Sequence, residues 1–324
     1  MILIKKDKNQ NNLIRVNKKF DMKQNRLSLN IPWTFDEDII LNLRDKILSQ
    51  GKLIKNIDDI LIYRGILTGC NDAFIINEQQ KNYLVSLDKK NEKILKPVIR
   101  GRDISKWFID YKNLYMVVTR NGIDVKKEYP TIYKYLVDKD AELKELNKNK
   151  NNYKGIQNRS DQGDHWTNLR NCNFYDQFEK PKIVYSEIVQ SPQFSYDDRQ
   201  FYPEATTFSL STEKYDIKLL LALLNSNVLF WVFRFLCTTL SDNGIRYKKK
   251  FIQELPLILN MDSKKEKEIC EHVNKIIKYT YNKNLEENKL MIEKEESKLN
   301  KLIYELYNIN TDEKEIIEKD INFQ

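Results

Sequence analysis

The chain has 324 residues, of which 41% are hydrophobic and 11% aromatic, a composition that excludes wholesale disorder and leaves room for two structural units. The four cysteines and two histidines are widely scattered, which excludes a disulfide framework and a zinc cluster and predicts a reducing, cytoplasmic location. The most apolar run, residues 219–236, contains Asn, Ser and Arg, so no membrane segment is predicted.

The net charge of +8 is unevenly distributed. Residues 1–30 carry eight Lys and Arg against two acidic residues, whereas residues 259–324 carry twelve against fifteen. A basic front and body with an acidic tail predict a body that faces nucleic acid and a tail that faces another partner. Lysine-rich genomes also encode basic proteins without such a partner, so charge alone leaves this open.

The first half of the chain alternates predicted helices and strands. In order, the pattern predicts a basic lead-in (1–45), a helix at 38–49, strands at 60–63, 73–76, 98–99 and 114–119, and a helix at 129–145 with a proline in its first turn. Gly65 and Gly69 bracket a polar turn between the first two strands. The segment after Gly69 reads as a strand rather than a helix, so a phosphate loop is not predicted here.

The second half opens with a long polar loop, residues 147–165. It continues with strands at 180–188 and 203–211, a hydrophobic helical segment at 216–236 that breaks near Asn225-Ser226, a Ser/Asp/Asn/Gly turn at 241–244, a basic strand at 245–250, and charged helix from 263 onwards. Leucine or isoleucine recurs every seven residues from 285 to 306, which predicts a helical pair or short coiled coil that packs on a partner or on the body of the chain.

Sequence motifs for catalysis are missing. No Gly-x-Gly, adjacent prolines, Gly-x-Ser-x-Gly or Walker loop occurs, and Glu142-Leu143-Lys144 matches only the second half of a nuclease motif. We therefore expect no catalytic residue, no metal site and no cofactor on this chain.

One stretch, residues 94–110, combines a strand, a bend and an aromatic pair. The bend Arg100-Gly101-Arg102-Asp103 places two guanidinium groups on either side of a glycine, an arrangement that suits phosphate oxygens or guanine edges. The alternative is a surface turn whose Arg102 and Asp103 pair with neighbouring side chains.

Several segments, taken in order, resemble the TaqI-like C-terminal specificity domain. They are GILTGCNDAFII (65–76), LKPVIRGRDISKW (95–107), YPTIYKYL (129–136), FEKPKIVYSEI (178–188), ATTFSLS (205–211), LLALLNSNVLFWVF (220–233), the basic strand with its Leu-Pro (245–256) and KLIYELYNINTDEKEIIEK (301–319). This family is the target-recognition module of type IIG restriction–modification enzymes and adenine-specific DNA methyltransferases. The resemblance covers roughly residues 40–320.

The resemblance implies an α+β fold: a mixed, mostly antiparallel, β-rich target-recognition lobe flanked by helices, with a C-terminal helical tail. The implied division is a basic lead-in (1–45), a DNA target-recognition domain (46–258) and a helical docking tail (259–324). In the family this module follows a methyltransferase domain, sometimes with a nuclease. We therefore expect a stand-alone or truncated recognition subunit, or one half of a split enzyme.

The function implied is sequence-specific binding of double-stranded DNA that directs an adenine-N6 methyltransferase on another polypeptide or on a domain lost by truncation. S-adenosylmethionine, and Mg²⁺ for a nuclease, would then be held by the partner domain, with neither a membrane nor a small-molecule substrate involved. The alternative is a protein-interaction subunit that uses the acidic helical tail as a scaffold.

Roles follow from the resemblance and from composition. Phosphate or shape contacts are predicted at Lys96, Arg100, Arg102, Lys106, Lys180, Lys182, Lys248, Lys249 and Lys250. The segment before Leu-Pro carries base readout in such modules and maps to Asp242, Asn243, Arg246 and Tyr247, with Arg246 expected at a guanine. Composition alone adds the loop residues Gln157, Asn158, Arg159, Gln162 and His165. Residues expected to fix turns are Thr68, Gly69, Gly101 and Asp103. For each residue, a structural or solvated role is the alternative.

Overall fold

A computed structural model describes residues 2–3, 13–16, 20–23, 38–149, 153, 155–237, 244–282 and 285–322. The chain divides into two compact units. The sheet unit comprises residues 59–189 and 193–217, and the helix unit comprises residues 1–58, 190–192 and 218–324. The division predicted from the sequence is a functional one, into a lead-in (1–45), a recognition domain (46–258) and a docking tail (259–324). It stays a prediction.

The strands are short. They are β1 Ile2–Leu3, β2 Leu13–Val16, β3 Phe20–Lys23, β4 Lys52–Leu53, β5 Leu61–Arg64, β6 Ile75–Asn77, β7 Leu95–Ile99, β8 Ile104–Ser105, β9 Phe108–Ile109, β10 Leu114–Val117, β11 Lys182–Ser186, β12 Ile188–Val189, β13 Phe194–Asp197, β14 Tyr202–Pro203, β15 Thr207–Ser211, β16 Ile245–Arg246 and β17 Pro256–Leu257.

The two longest of the described helices, α9 and α10, lie in the C-terminal region. They are α1 Asp38–Gln50, α2 Asn71–Phe74, α3 Glu78–Leu87, α4 Val125–Glu128, α5 Pro130–Leu146, α6 Ile217–Leu224, α7 Asn227–Phe233, α8 Lys249–Ile252, α9 Ser263–Thr280, α10 Leu285–Leu306 and α11 Thr311–Asn322.

Two four-stranded sheets, with the orders β14-β7-β10-β6 and β13-β11-β15-β5, form the frame of the sheet unit. Strand β14 runs parallel to β7, whereas the other pairings in these two sheets are antiparallel. With the helices of the C-terminal region, this arrangement confirms the predicted α+β class, mixed and mostly antiparallel.

The centre of the second sheet is buried on both faces. Every residue of β11 and β15 is buried, including the polar Lys182, Thr207 and Ser209. A strand without an exposed face has no solvent to satisfy a polar side chain. Lys182 has a partner in Asp197, whereas the buried Thr207 hydroxyl has no hydrogen-bond partner in the described part of the chain.

The first sheet packs against α5. Ile132, Leu136 and Leu143 of this helix lie in the main apolar cluster, and Pro130 occupies the first helical position. Proline is well tolerated there because its missing N–H would have had no partner within the helix. The predicted helix at 129–145 is therefore confirmed.

Two local predictions are wrong. Residues 71–74, expected to be partly strand, form the single turn α2, and the strand begins only at Ile75. The Cys70 carbonyl accepts hydrogen bonds from the N–H groups of Ala73 and Phe74, which winds the chain before the strand starts. The basic strand expected at 245–250 ends at Arg246, and the lysines that follow begin α8.

In the helix unit, α6 and α7 are separated by Ser226, as predicted. The Ser226 hydroxyl accepts a hydrogen bond from the Leu229 N–H at 3.2 Å, which caps α7, and donates to the Leu223 carbonyl at 2.6 Å, where α6 ends. Residues 219–224 and 228–233 are buried throughout. Of the described helices, none combines the length with the apolar composition that crossing a membrane requires.

The C-terminal helices cover this apolar pair. Helices α9 and α10 pack against each other, and both α10 and α11 contact α7. The indole N–H of Trp231 donates to the Asp320 carboxylate at 2.9 Å, and the Tyr307 hydroxyl donates to the Pro256 carbonyl at 2.6 Å. The predicted helical pair is confirmed, and its apolar side packs within the chain itself.

Candidate nucleic-acid interface

Arg159 is the centre of a long polar loop, residues 155–170, in the sheet unit. Its guanidinium lies 4.5 Å from the centroid of the Phe74 ring, and the residue is only 7% exposed. The group donates hydrogen bonds to backbone carbonyls of Thr68, Ile156, Asp161, Trp166 and Asn168. Burial lowers the pKa of Arg159 to about 10, so the side chain stays protonated at neutral pH.

A second set of hydrogen bonds ties the same loop to the residues that follow β10. Thr119 Oγ1 donates to the Thr167 carbonyl at 2.6 Å, and Asn168 Nδ2 donates to the Arg120 carbonyl at 2.7 Å. The Asp164 N–H donates to Asn121 Oδ1 at 3.1 Å. A loop fixed on both sides presents its outward side chains in one arrangement.

The outward side chains include four of the predicted base readers. Gln157, Asn158, Gln162 and His165 are exposed. The prediction for Arg159 is wrong, because its guanidinium is buried and its donors are already bonded to carbonyl groups, so it is not available to a base edge. Its role is to hold the loop.

The turn at residues 68–71, which packs against this loop, depends on a glycine. Gly69 has a φ of 68°, and a Cβ at this position would lie 2.9 Å from Arg159 Cδ. The Thr68 hydroxyl donates to Asn71 Oδ1 at 2.6 Å and accepts a hydrogen bond from the Cys70 N–H. Thr68 and Gly69 thus shape the surface against which Arg159 packs.

The bend at 100–103 matches neither prediction made for its arginines. It is neither a pair of open guanidinium groups nor a turn in which Arg102 pairs with a neighbouring side chain. Arg100 forms a bidentate pair with Asp103, at 2.9 Å from Nε and 2.8 Å from one terminal nitrogen, and this pairing raises the pKa of Arg100. Gly101 is needed because a Cβ there would lie 2.6 Å from Ser186 Oγ. Arg102 is exposed and has no hydrogen bond or ion pair with the residues that the structure describes. Of the two guanidinium groups, that of Arg102 is the one open to a phosphate.

Three lysines predicted to contact phosphate have carboxylate partners. Lys96 Nζ lies 2.9 Å from the Glu179 carboxylate, and Lys180 Nζ lies 2.6 Å from that of Glu213. Lys182 Nζ lies 2.6 Å from Asp197, with both side chains fully buried. The prediction for Lys182 is therefore wrong, because a buried and paired ammonium group is not accessible to DNA. Lys106 lies beside the Trp107 ring, 5.7 Å from its centroid.

The segment before Leu255-Pro256 belongs to the helix unit. Asp242 and Asn243 lie outside the described residues. Arg246 is half-buried in β16, whereas Tyr247 is 1% exposed and its ring meets that of Phe233 edge-on at 4.6 Å. The prediction that Tyr247 reads a base is wrong for this reason, and burial raises its pKa far above the ordinary value.

The lysines after Tyr247 differ in exposure. Lys248 is half-buried, whereas Lys249 and Lys250 are exposed on α8, and Lys250 Nζ lies 4.6 Å from the centroid of the Phe251 ring. The last two lysines are therefore open to an anionic partner.

Two cations in the sheet unit were missed by sequence reasoning. Lys126 and Lys127 lie on α4, are exposed, and have no carboxylate within ion-pair distance among the described residues. Asp124 caps α4 by accepting a hydrogen bond from the Lys127 N–H, and Val125 is buried while both lysines are exposed. The signal in the sequence was an Asp in cap position shortly before a Lys-Lys pair. The described residues contain no group of three or more His, Cys, Asp or Glu side chains that could hold a metal ion.

The sheet unit is thus an α+β lobe that displays polar side chains on a braced loop beside exposed cations, an arrangement that is chemically suited to contact base edges and phosphates. The chain belongs to the family of the TaqI-like C-terminal specificity domain, whose model matches residues 96–257. Domains of this family are specificity domains of restriction–modification enzymes.

Two known proteins are similar to this chain. The chain is 20% identical over 230 residues to the type II methyltransferase M.BstVI of Geobacillus stearothermophilus, a match that covers 70% of this chain and 38% of the relative. Its fold is similar to that of the type IIL restriction–modification enzyme MmeI, solved in complex with DNA, with a TM-score of 0.51 and 13% identity over 77% of this chain and 33% of that one. The chain thus spans only about a third of the length of either protein, 38% of the first and 33% of the second.

Proposed function

We propose that this chain recognises a specific sequence of double-stranded DNA for a restriction–modification enzyme. The observation that carries the proposal is the loop 155–170, whose backbone is braced by Arg159 while its amide and imidazole side chains face solvent. Sequence readout requires donors and acceptors held in a fixed arrangement against base edges. The family assignment and the solved DNA complex of the structural relative support the same conclusion.

Within this proposal, base contacts come from two places. Gln157, Asn158, Gln162 and His165 offer donors and acceptors from the braced loop. In the helix unit, Arg246 offers a guanidinium that pairs with guanine O6 and N7 in bidentate fashion.

Affinity, as distinct from sequence choice, comes from cations spread along the phosphates. The predicted cations that remain open to this role are Arg102, Lys249 and Lys250. Lys96, Arg100 and Lys180 hold carboxylates in this structure and would have to exchange them for phosphate oxygens.

The chain directs a methyltransferase that acts on adenine N6 and is carried on another domain or polypeptide, in the cytoplasm. S-adenosylmethionine, and Mg²⁺ where a nuclease accompanies it, belong to that partner. The similarity to the type II methyltransferase M.BstVI supports a methyltransferase as the partner. The helix unit, with its long C-terminal helices, is the side on which we place this partner.

Selection from a pool of random DNA duplexes by the full 324-residue chain tests the proposal. We expect one enriched motif, and an affinity that falls with salt at a log–log slope of about −0.9 for each phosphate neutralised. Replacing Gln162 and His165 together by alanine should change the motif, whereas Asn82→Ala, an exposed amide on α3, should leave it unchanged. Binding that is independent of salt, or a pool without enrichment, would contradict the proposal.

The methyltransferase part of the proposal needs a separate measurement. The purified chain is incubated with labelled S-adenosylmethionine and a duplex that carries the selected motif, with and without a methyltransferase polypeptide encoded beside it. We expect label at adenine N6 only when the second polypeptide is present. Label without it would place catalysis on this chain, and a partner that methylates equally well without this chain would support the scaffold alternative.

A further inference from the structure

The exposed cations of the sheet unit fall into two groups. One group has carboxylate partners, as do Lys134 with Asp138 at 2.8 Å and Lys148 with Glu145 at 2.5 Å. The other group has none among the described residues, and its members include Lys89, Lys93, Arg102, Lys126 and Lys127. Of these, Lys126 lines a cleft beside the 155–170 loop. A cation without a partner carries its full charge to the surface, where a phosphate needs to displace only water and counterions.

Helix α4 presents these two lysines in a fixed way. Its N-terminus is capped by Asp124, and Val125 is 1% exposed and anchors the turn in the core. Lys126 Nζ lies 5.7 Å from the centroid of the Tyr133 ring, whose own neighbour is Trp166 at 5.9 Å. The aromatic ring limits the directions that the Lys126 ammonium samples.

A cleft of about 490 Å³ lies between α4 and the braced loop. Its lining includes Gly122, Lys126, Tyr133, His165 and Thr167. His165 is one of the side chains that we propose to read bases, so the cleft adjoins the reading loop directly. The imidazole is oriented by Thr167, whose Oγ1 is 2.8 Å from His165 Nδ1.

The carboxylates nearest to the lysines in the sequence are engaged by backbone groups. Asp124 accepts from the Lys127 N–H at 3.1 Å, and Glu128 accepts from the Asp124 N–H at 3.1 Å. These N–H groups partly offset the negative charge of both residues. The cleft also includes Asp164, whose exposed carboxylate is open to a donor such as a cytosine amino group.

We propose that Lys126 and Lys127 hold a backbone phosphate of the DNA at the mouth of this cleft, next to the base read by the 155–170 loop. The site rests on the proposed DNA recognition and adds a contact to it. A phosphate held beside the reading loop sets the register of the bases against Gln162 and His165, as phosphate contacts do in other readers.

The test compares two double variants of the full chain, Lys126→Gln with Lys127→Gln, and Lys134→Gln with Lys148→Gln. Both remove two positive charges from exposed positions in the sheet unit, so they are matched in net charge. We expect the first pair to weaken binding to all sequences in the pool and to make the salt slope shallower by about 1, the change that follows when one phosphate is no longer neutralised. The second pair should change the slope by less than half as much.

The outcomes separate this inference from the proposed function. If the wild-type chain selects a motif with a salt-dependent affinity, but the Lys126/Lys127 variant keeps the wild-type slope, the phosphate site is wrong and DNA recognition stands. Equal decreases in affinity in the two double variants would mean that the loss comes from net charge alone. That result would also overturn the phosphate site at Lys126 and Lys127. If the wild-type chain binds no DNA at low salt, both proposals fail.

Discussion

Lys182 and Asp197 face each other across β11 and β13, with 2.6 Å between Lys182 Nζ and Asp197 Oδ2 and no solvent exposure of either side chain. Lys182 also donates to the Phe178 carbonyl at 2.5 Å. Asp197 accepts two further hydrogen bonds, from the N–H groups of Arg199 and Phe201. Burial lowers the pKa of Lys182, and the Asp197 carboxylate opposes this effect. One ion pair therefore joins two strands and the turn that follows them.

Breaking this pair should destabilise the protein strongly. We expect Lys182→Met to lower the free energy of unfolding by about 3–5 kcal/mol, because it leaves the Asp197 charge buried without a counter-ion. Lys180→Met, two residues away in an exposed pair with Glu213, should have a much smaller effect, because solvent screens an exposed pair. Urea unfolding followed by tryptophan fluorescence measures both. An equal loss of unfolding free energy in the two variants would mean that Lys182 is accessible in solution. The prediction that Lys182 contacts a DNA phosphate would then stand again.

Removing the Arg159 guanidinium should loosen the reading loop. In Arg159→Met, the buried carbonyls that it bonds lose their donor, and an unsatisfied buried polar group costs about 1–3 kcal/mol. We expect faster amide hydrogen exchange in residues 155–169 and a broader DNA motif at the positions that the loop reads. Arg64→Met is the control, because Arg64 is exposed and its partner Glu187, at 3.8 Å, lies outside the loop. Unchanged exchange in the loop would contradict the bracing role.

The pairing of α9 with α10 should weaken in acid. Burial alone would raise the pKa of Glu295, but hydrogen bonds from Lys298 and His272 outweigh it and hold this pKa below the ordinary value of 4.5. A carboxyl group whose pKa is lowered by folding contributes stability above its unfolded pKa and loses it as the pH falls through the folded one.

We therefore expect the stability difference between the wild type and Glu295→Gln to be largest near pH 7 and to shrink below about pH 4.5. Urea unfolding at a series of pH values measures this difference. Glu296→Gln, the adjacent position on α10, is the comparison. A difference that grows towards low pH would have the wrong sign and would reject the role of the Glu295 charge.

Arg246 should affect sequence choice rather than overall affinity. A bidentate pair with guanine discriminates by about 1–3 kcal/mol, so Arg246→Ala should relax the selected motif at one base pair. Lys249→Ala, on the exposed turn that follows, should weaken all sequences alike and make the salt slope shallower by about 1. Sequencing of selected duplexes reports both effects. A motif that survives Arg246→Ala with uniformly weaker binding would identify Arg246 as a phosphate contact.

Deleting the acidic tail would not be a clean test of the scaffold alternative. Deleting residues after 258 would remove α9–α11, and with them the Asp320 carboxylate that accepts from Trp231. Helices α6 and α7 would then expose apolar side chains that are now buried, so the truncated chain should aggregate. Single substitutions in the full chain avoid this disruption of the helix unit.

Local patterns in the sequence were sufficient for the elements whose cause is local. Pro130 at the start of α5, the polar break that Ser226 caps between α6 and α7, and the apolar spacing of α1 follow from residues within a few positions of one another. Such signals act through backbone geometry and helix periodicity, which neighbouring residues determine. The ordered family segments were also readable, and they led to the specificity-domain assignment that the family match confirms.

Only the tertiary structure decided which cations and polar side chains remain open to DNA. Arg159 has the composition of a base reader, yet one of its bonding partners, Thr68, lies 91 residues away in the sequence. Lys182 lies in β11, which has β13 and β15 on its two edges and is buried along its whole length by segments that the local sequence does not identify. Lys126 and Lys127 stand out only because Lys126 lines the same cleft as His165, a residue 39 positions further along the chain. Burial and pairing are properties of segments that meet in space, and spacing along the chain carries no record of them.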